Sequence, residues 1–571
     1  MEFLKFSKGH LDKPLLSLFN YIFDNGVYPK AWSTGLINPI FKQNDKTLAE
    51  NYRKITLLSS LSKTFENILN NRLSYCKETV MSDDPLQNGF NKDTPVTDNA
   101  FILNGIIEKY KATKKPLYVC FVDFKSAFDN VNRKALFYKL SKQDVKGKFY
   151  KIIKSMLNNA KSKVKWDNNL GDIIDNLYGV LQGGVISPAL FKIFIEDLPK
   201  YLDPEDGVKM GSILIHYLLH ADDLVLISET SSGLQNLLLG LETFCSRWHI
   251  TVNLVKTNVL IFNKKHITIG EMKNFSLFDS MILEVDQYKY LGIIFTNSRN
   301  TFAENMTYLR KKSMRAIGDI RTNICNIIGI NKPYDLLIKL FDSQILPILE
   351  YGAEIWYMGK NMPHYESVHL GYLKYVLGVK SNTSNLAIYG ETGRFPLVLR
   401  QEDQAIKLWL RLKFSNAKKT INHVFDELEK LESLGYATWL TKIRNILGDV
   451  YASAAGNDNP YKLIARLKET RYKRFMDKFV TEINDNTVNP KLRTYCQFKT
   501  DYRKEAYLCH NINRNYLTAI SRFRTSSHCL HVETGRYTRP YTPIENRLCS
   551  FCNLNSIDDE KHMLLNCTFH D

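Results

Sequence analysis

The stretch HADDLVLIS (residues 220–228) sets two adjacent carboxylates, Asp222 and Asp223, among residues of the kind that fill protein cores. The apolar run ILIHYLL (213–219) precedes it, and Leu-Val-Leu-Ile follows the Asp pair. Removing an ionised carboxylate from water is costly unless a partner compensates it. The chain therefore either turns into solvent at this point or presents the pair to a cation.

A second acidic strand end strengthens the cation interpretation. YVCFVDF (118–124) is a short apolar, aromatic and β-branched run, typical of a buried strand, and it carries Asp123 near its end. HYLLHADDLVLIS (216–228) predicts two short strands joined at the Asp pair. If the two segments meet, the like charges raise each other's pKa unless divalent cations neutralise them. Oxygen ligands of this kind suit two Mg²⁺ ions, although an Asp pair taken alone is also typical of a solvated turn.

Elements around these segments predict an α/β (α+β) front half and a mainly helical back half. Helices are expected at 14–26, 56–73, 133–142, 187–198 and 233–250, with strands at 35–41, 257–262 and 288–295. Short strands and turns are expected over 164–181, and helices predominate after residue 300. The sequence shows no internal repeat or low-complexity tract.

Charge and composition narrow the class of function. The chain has 571 residues, too many for one ordinary core, with 44% hydrophobic and 12% aromatic residues. Lys and Arg total 77 against 59 Asp and Glu, a net charge of +18, which favours a polyanionic partner, most simply nucleic acid, over a merely basic protein. No apolar run is long enough for a membrane-spanning helix, so no membrane association is expected.

The cysteines predict a metal site near the C-terminus. Seven of the ten are scattered singly, whereas three lie within the last 23 residues. Cys549, Cys552, His562 and Cys567 form a C-x2-C-x9-H-x4-C pattern, which predicts one structural, tetrahedral Zn²⁺, with chance spacing as the alternative. The preceding segment, 514–547, interleaves Arg with Tyr and Phe, a mixture that suits phosphate contact and base stacking or else forms a solvated basic face.

Several further motifs occur in an order and spacing that resemble the reverse transcriptases of non-LTR retrotransposons (long interspersed elements). The resemblance runs from about residue 15 to Cys567. The motifs that carry it are INPIFKQND and NYRKITLL (within 37–58), QNGFNKDTPVTDNAF (87–101), FVDFKSAFD (121–129), GVLQGGVISPALFKIFIEDLP (179–199), HADDLVLIS, WHITVNLVKTNVLIF (248–262), YKYLGIIF (288–295) and ILPILEYGAEIW (345–356).

The resemblance implies a right-hand polymerase and gives its acidic residues roles. Asp123 and Asp222 would hold two Mg²⁺ ions, and Asp223 would complete or tune the site. Phe124 would offer only a backbone carbonyl. Lys256 would protonate or neutralise the departing pyrophosphate, with a surface lysine as the equal alternative.

The remaining predicted site residues would surround the incoming nucleotide. Lys42 and Arg53 would contact its triphosphate, unless they belong to a solvated basic loop. Phe128 would exclude a ribose 2′-hydroxyl, unless it is an ordinary core residue. Gln182 and Gly183, with Gly184, would bring backbone close to a base pair or sugar, unless they form a plain helix-entry turn. Asp129 is expected to cap the helix that starts near Arg133 rather than to bind metal.

The implied domains are fingers and palm over 1–297, a helical thumb over 298–400, and a basic helical region over 401–571 that ends in the zinc knuckle at 549–567. Several residues depart from the family pattern. His220 stands where Tyr or Phe is usual, Lys54 replaces a usual Pro, Asn91 and Asp93 stand where basic residues are common, and Gly184 is often Ser. Relatives normally carry an endonuclease domain that is not recognised here, so a fragment or one copy of a decaying element is expected.

The expected activity is RNA-templated DNA synthesis, with an RNA template, a DNA primer or target and dNTPs as partners. The protein is expected to be intracellular, and the family implies action on nuclear DNA. A catalytically decayed nucleic-acid-binding relic is the first alternative. An intron-maturase or telomerase-type relative is the second, although the C-terminal knuckle disfavours it. The sequence does not indicate the RNA, the target site or the oligomeric state.

Overall fold

The computed structural model describes residues 6–7, 9–42, 45–80, 84–91, 94–267, 274–328, 333–357, 363–415, 419–448, 460–510 and 512–569. By their internal contacts the residues form two compact units, Met1–Thr301 with Ala417–Thr438, and Phe302–Asn416 with Trp439–Asp571. The first unit mixes strands and helices, and the second is helical. The α/β front half and helical back half predicted from the sequence are therefore confirmed.

The centre of the first unit is a six-stranded sheet in the order β12-β13-β11-β3-β10-β9. Its central strand, β3, is buried on both faces from Leu117 to Val122, as its unbroken apolar sequence predicts. The strands of this sheet are β3 (Leu117–Asp123), β9 (Tyr217–His220), β10 (Asp223–Ser228), β11 (Asn258–Phe262), β12 (Phe275–Leu277) and β13 (Ser280–Glu284).

A second sheet of the first unit has the strand order β2-β1-β4-β5, with β6 also paired to β4. Its strands are β1 (Thr34–Phe41), β2 (Tyr52–Leu57), β4 (Lys161–Trp166), β5 (Asn169–Leu170) and β6 (Ile174–Asp175). Two small hairpins complete the strands, β7 (Val208–Met210) with β8 (Ile213–Ile215), and β14 (Gln287–Tyr290) with β15 (Ile293–Thr296).

Five of the helices that surround these sheets were predicted from the sequence, whereas those at Thr97–Ala112 and Gly147–Asn158 were not. In chain order, the helices are α1 (Asp12–Asn25), α2 (Ser60–Val80), α3 (Thr97–Ala112), α4 (Arg133–Lys142), α5 (Gly147–Asn158), α6 (Ser187–Ile195) and α7 (Ser231–Trp248). The helix expected at 56–73 was placed too early, because Thr56 pairs with Ile37 in the β1–β2 ladder and α2 begins only at Ser60. The helix expected at 187–198 ends at Ile195.

The second unit begins with α8 (Ala303–Ile328), α9 (Tyr334–Leu340), α10 (Leu346–Leu349), α11 (Ala353–Trp356), α12 (Pro363–Leu377), α13 (Asn385–Thr392) and α14 (Leu397–Lys413). The helix α15 (Thr420–Ser433) follows in the chain but belongs to the first unit. The second unit resumes with α16 (Trp439–Leu447), α17 (Pro460–Asn484), α18 (Tyr495–Phe498), α19 (Arg514–Arg524), α20 (His531–Thr534) and α21 (Glu560–Leu565).

Close packing holds α15 in the first unit. A Cβ placed on Gly105 of α3 would lie 2.3 Å from Val424 Cγ1, so the two helices approach as closely as a glycine allows. Lys109 of α3 pairs with Glu427 at 2.6 Å. The sequence-based division had assigned this helix to the C-terminal region; the division into fingers and palm, thumb and C-terminal region itself stays a prediction. Among the helices of the described residues, none is long and apolar enough to cross a membrane.

Candidate active site and candidate metal centre

Strand pairing brings the three predicted metal-binding carboxylates to one place. Asp223 is the first residue of β10 and lies directly opposite Asp123, the last residue of β3. Asp222 occupies the preceding turn, which Ala221 enters with a left-handed φ of 58°. All three carboxylates line one cavity of about 870 Å³. The segments are about 100 residues apart in the chain, so only the antiparallel register between β3 and β10 creates the cluster.

Backbone contacts from the segment after α7 fix the end of β3. The carbonyl of Asp123 accepts from the N–H of Asn253 at 2.7 Å, and the N–H of Asp123 donates to Thr257 Oγ1 at 3.2 Å. Asn253 also lines the cavity. The sequence analysis did not single out Asn253 or Thr257, although both lie in the motif that contains Lys256.

The carboxylates perturb one another in the way expected of an acidic cluster. Burial and the charges of Asp222 and Asp123 raise the pKa of Asp223 to about 6. Burial, followed by the charge of Asp123, raises the pKa of Asp222, whereas Arg53 and Lys42 lower it. Asp223 is solvent-accessible, so its desolvation arises from a concave surround rather than from complete burial. Converging carboxylates whose protonation is favoured in this way fit the binding of divalent cations.

The predicted cations lie around the same cavity. Lys42, Arg53 and Lys256 are exposed and line it. Tyr288 of β14 donates its hydroxyl to the carbonyl of Lys256 at 3.3 Å, and its ring stacks on Phe121 of β3 at 4.2 Å. The hairpin expected to hold a primer end therefore packs on the strand that carries Asp123.

Aromatic packing fixes the position of Phe128. Its ring stacks on Phe191 at 4.8 Å and meets Phe90 edge-on at 6.3 Å. Phe128 is only half-buried and lines the cavity, as does the buried Phe124. The prediction that Asp129 caps α4 is wrong. Asn132 caps it, accepting from the N–H groups of the second and third residues after it, because it immediately precedes Arg133.

Beside the cavity, the loop at 182–185 is held from two sides. The carbonyl of Gln182 accepts from the N–H of Thr56 at 2.7 Å, and Gln182 lines the cavity. Gly183 has a φ of 120°, and a Cβ there would lie 2.3 Å from the Thr56 carbonyl oxygen, so only glycine fits. Glu66 accepts from the N–H of Val185 at 2.8 Å on the other side. All the predicted catalytic and nucleotide-binding residues except Gly183 thus line one cavity, while their individual roles stay predictions.

Glu66, which no motif in the sequence indicates, supports the loop at 182–185 from helix α2. Its side chain is almost fully buried and also accepts from the hydroxyls of Ser62 at 3.0 Å and Tyr28 at 3.3 Å. Burial raises the pKa of this carboxyl, whereas the hydrogen bonds lower it. A glutamate within an amphipathic helix is usually solvated, and the only signal in the sequence was its position among apolar residues.

His220 is the residue that departs from the family pattern at the metal-binding hairpin. It pairs with Asp223 across the β9–β10 ladder. Its Nδ1 is buried and has no hydrogen-bond partner among the described residues, and burial lowers the pKa of the imidazole. The neutral imidazole is therefore the form that this environment favours.

A second cluster of ligating atoms lies in the second unit. One ligand atom from each of Cys549, Cys552, His562 and Cys567 lies within 4.8 Å of the others, as one tetrahedral metal ion requires. Cys552 Sγ is 3.3 Å from His562 Nε2, and Cys549 Sγ is 3.9 Å from Cys567 Sγ. Burial opposes the ionisation of Cys549, but backbone N–H groups of Phe551 and Cys552 lower the pKa of this thiol to about 7. The predicted Cys₃His cluster is present, and its chemistry fits Zn²⁺.

Glu560 connects this cluster to the helices before it. The buried carboxylate accepts from His528 Nε2 at 2.8 Å and pairs with Arg493 at 2.9 Å. Burial opposes its ionisation, yet these partners lower the pKa of Glu560 to about 2. Glu560 begins α21, the helix that also carries His562.

Most arginines of the 514–547 segment have structural roles that the sequence did not reveal. Arg514 donates to the carbonyl of Tyr375, Arg522 to that of Gly378, and Arg524 forms an ion pair with the buried Glu391. Arg547 is buried and donates to the carbonyl of Val532. Arg514, Arg524 and Arg547 therefore serve the fold, whereas Arg522 is exposed although it also contacts the backbone.

Comparison with known proteins finds similarity to one family over part of the first unit. Residues 40–295 match the family model described as reverse transcriptase (RNA-dependent DNA polymerase). The chain is 28% identical over 356 residues to the RNA-directed DNA polymerase from mobile element jockey of Drosophila melanogaster, covering 60% of this chain and 37% of that protein. It is 27% identical over 294 residues to the Pol polyprotein from the type-1 retrotransposable element R2 of Nasonia vitripennis, covering 50% of this chain and 28% of that protein. A solved telomerase structure from Candida tropicalis has a TM-score of 0.35 at 14% identity, with 73% of this chain and 74% of that chain covered. The chain thus spans 37% of the jockey polymerase and 28% of the R2 polyprotein, well under half of either relative.

Proposed function

We propose that this chain, whose residues 40–295 form a reverse transcriptase domain of the non-LTR retrotransposon type, is an RNA-directed DNA polymerase. The observation that carries the proposal is the convergence of Asp123, Asp222 and Asp223 in one cavity that exposed basic side chains, among them Lys42, Arg53 and Lys256, also line. Phosphoryl transfer needs this combination, because negative charge develops on the transferred group and has to be stabilised in place.

In this proposal the primer 3′-hydroxyl attacks the α-phosphate of a dNTP, a P–O bond to the growing strand forms, and pyrophosphate leaves. Asp123 and Asp222, with Asp223 completing the site, would hold two Mg²⁺ ions. Such a pair, when bound, activates the attacking hydroxyl and stabilises the leaving oxygen. Lys42 and Arg53 bind the triphosphate, and Lys256 neutralises or protonates the pyrophosphate as it departs. Phe128 and the Gln182–Gly183 backbone bound the sugar and base of the nucleotide.

The Cys₃His cluster would hold one Zn²⁺ with a structural role, because four protein ligands leave no open coordination position. The partners of the whole protein would be an RNA template and a DNA primer at a chromosomal target. The net charge of +18 supports binding to both strands. We also propose that the protein acts on nuclear DNA, because the proposed target is chromosomal; its location in cells tests this.

Primer extension on an RNA template tests the proposal. The wild-type chain with Mg²⁺ is expected to incorporate dNTPs, and Asp222→Asn is expected to lower the rate at least about 10³-fold, because one carboxylate ligand is lost. Its affinity for the primer–template is expected to change by less than about threefold. Asp279→Asn is the matched control, since Asp279 is an exposed carboxylate outside the cavity, in a left-handed turn conformation that asparagine tolerates.

Two results separate the polymerase from the alternative. A folded wild-type chain that binds RNA but incorporates no dNTP would be the non-catalytic relic. His220, whose buried Nδ1 has no hydrogen-bond partner among the described residues, would then be the first substitution to reverse. Substantial synthesis by Asp222→Asn would contradict the role given to that carboxylate.

A further inference from the structure

Arg133, the first residue of α4, is a buried cation that none of the roles proposed above uses. It is 7% exposed, and in the part of the chain that the structure describes no carboxylate forms an ion pair with it. Burial lowers the pKa of its guanidinium to about 10. A buried charge lowers stability unless hydrogen bonds satisfy it, so the acceptors of Arg133 indicate what the residue does.

The guanidinium donates to four backbone carbonyl oxygens. Its Nε donates to Gly179 at 2.8 Å, and its Nη2 donates to Tyr178 at 3.0 Å. Its Nη1 donates to Asn176 and to Leu157, both at 2.6 Å. Three of the four acceptors lie in residues 176–180, the support segment, which belongs to no helix or strand. The planar guanidinium presents its donors in a fixed geometry and so holds this backbone where no sheet ladder does.

The support segment in turn holds the turn that carries Phe128. The N–H of Val180 donates to the carbonyl of Phe128 at 2.9 Å. The N–H of Gly179 donates to the carbonyl of Val131 at 3.0 Å. Gly179 has a φ of 75°, and a Cβ there would meet the carbonyl oxygen of Asp129, so the two segments approach as closely as a glycine allows. Hydrogen bonds therefore lead from Arg133 to the backbone of Phe128.

The backbone of Phe128 decides where its ring lies in the cavity. Phe128 is in a turn between β3 and α4, outside regular secondary structure. The rings of Phe191 and Phe90 restrict its side chain, but neither contact fixes the height of its backbone beside the cavity. Steric exclusion depends steeply on distance, and a displacement of about 1 Å is enough to change how a reacting group is bound. A support that holds this turn therefore also controls what the ring excludes.

We propose that Arg133 is a positioning residue for the selection of the nucleotide sugar, because it holds the support segment and the support segment holds Phe128 where its ring admits deoxyribose and excludes a ribose 2′-hydroxyl. The inference rests on the proposed polymerase function and on the role given there to Phe128. Arg133 does not line the cavity, so it acts through the backbone and not on the substrate. It should affect the preference for one sugar more than any other property of the site.

Nucleotide binding on a blocked primer tests the inference without the chemical step. The full chain is bound to an RNA template with a dideoxy-terminated DNA primer, and its affinities for dGTP and GTP opposite a template cytosine are compared in Mg²⁺. The wild type is expected to prefer dGTP about 100-fold. Arg133→Lys keeps the charge but cannot span the four carbonyls, so the preference should fall to about tenfold or less. Its affinity for the primer–template should change by less than about threefold.

Arg547→Lys is the matched control for the loss of a buried arginine. Arg547 is 1% exposed and also donates to backbone carbonyls, those of Thr542 and Val532, but it belongs to the second unit and does not line the cavity. Its replacement should lower stability and leave the preference for dGTP unchanged. A loss of preference in Arg547→Lys as large as that in Arg133→Lys would mean that any destabilised chain loses selectivity, and would overturn the inference.

A cycle of double variants decides whether Arg133 acts through Phe128. Phe128→Val alone should lower the preference for dGTP. Adding Arg133→Lys to it should lower the preference by less than about twofold more, because the ring that Arg133 positions is gone. Losses that multiply in the double variant would contradict the inference, and so would an unchanged preference in Arg133→Lys.

A milder variant keeps the inference testable if Arg133→Lys does not fold. The side chain of Asn176 donates to Ser162 Oγ at 2.8 Å and anchors the support segment independently of Arg133. Asn176→Ala should lower the preference for dGTP about threefold. No change in a folded Asn176→Ala would count against the support segment as the element that positions Phe128.

Extension of an unblocked primer by the same preparations keeps the two proposals apart. A wild type that synthesises DNA, while Arg133→Lys keeps the full preference for dGTP, removes only the inference. A wild type that prefers dGTP, loses the preference in Arg133→Lys and yet extends no primer removes only the polymerase. A wild type that binds dGTP and GTP equally leaves no selection for Arg133 to support and overturns the inference whether or not it extends the primer.

Discussion

At the scale of the residue, Asp223 keeps its charge at a cost in stability. The raised pKa of about 6 means that the folded chain holds the proton more tightly than the unfolded chain does. Without metal, stability should therefore fall as pH rises from about 4 to above 6. The full pKa shift corresponds to a loss of about 3 kcal/mol in the free energy of unfolding. Because the Asp223 side chain is exposed to solvent, we expect a loss of only about 1 kcal/mol.

We therefore expect Asp223→Asn to raise the free energy of unfolding of the EDTA-treated chain by about 1 kcal/mol at pH 7.5. The gain should shrink as the pH is lowered through 4 and vanish below the unfolded-state pKa of 3.8, where the wild-type carboxyl is protonated in both the folded and the unfolded chain. Denaturant titrations of both chains across this pH range measure it. A gain that is independent of pH would mean that the carboxylate is not the source. The same variant should lose DNA synthesis, because residues that an active site needs often lower the stability of the fold.

Phe128 is expected to decide between deoxyribonucleotides and ribonucleotides. Its ring is held by Phe191 and Phe90 while one side lines the cavity, so it cannot move aside for an additional hydroxyl. Phe128→Val should lower the discrimination of dNTP over rNTP, measured as the ratio of kcat/KM values, by about 10–100-fold. Phe128→Tyr retains the ring and is the control. An equal loss of both activities in Phe128→Val would instead indicate a packing role.

The sequence predicted individual site residues best where chemistry demands a particular side chain. The aspartates and the Cys₃His ligands stood out because charged or thiol groups are costly or unusual in their settings. Lys42 and Arg53, which are exposed, were named only because of the family resemblance. Residues that act through the backbone gave no such signal. The N–H of Asn253 and the hydroxyl of Thr257 fix Asp123 through contacts that depend on the fold. The capping role given to Asp129 was wrong because a better-placed asparagine lies three residues on.

At the scale of the element, Glu66 joins helix α2 to the loop at 182–185. Glu66→Ala would leave the buried N–H of Val185 without an acceptor, so we expect a loss of about 1–3 kcal/mol in the free energy of unfolding. The displaced loop should also raise KM for dNTPs more than it lowers kcat, because Gln182 lines the nucleotide cavity. Denaturant titration and steady-state primer extension measure the two effects.

Glu66→Gln is the matched test of this positioning role. Its amide oxygen can still accept from Val185, while the hydroxyls of Ser62 and Tyr28 rotate to accept from its N–H₂ group. We expect KM to return close to the wild-type value. If the glutamine variant were as impaired as the alanine variant, the charge of Glu66 rather than its hydrogen bonds would be responsible.

Individual strands and helices could be predicted from the sequence wherever the pattern of apolar residues is local. The pairing of strands that are distant in the chain could not. The strand at 117–123 and the two strands of the Asp hairpin follow from apolar runs and a turn. The parallel pairing of β1 with β4 joins segments more than 100 residues apart and has no counterpart in either local pattern. It is this pairing that brings Trp166 next to Tyr52 and creates a further cavity that both residues line.

At the scale of the whole molecule, the assignment of α15 shows the limit of a linear reading. Its sequence is amphipathic and ordinary, and the signal that it packs on α3 is a glycine in a helix expected to hold larger residues. The chain leaves the first unit at residue 302, returns for one helix, and leaves again. The unit to which α15 belongs is decided by its tertiary contacts, because an apolar helix face of this kind can pack on many different surfaces.

The Cys₃His cluster supports a prediction about metal removal in the second unit. We expect one Zn²⁺ per purified chain by elemental analysis, lost on chelation and in Cys552→Ser. Because Glu560 sits on the helix that carries His562 and bonds to Arg493 and His528, the loss should spread beyond the ligands. Hydrogen-exchange mass spectrometry should show faster exchange at 549–567 and also around 493 and 528.

Cys529→Ser changes an exposed cysteine outside the cluster and is the control, so it should keep both the metal and the protection from exchange. Full protection after chelation would mean that the four side chains are held by packing alone, and the metal would then have no structural role.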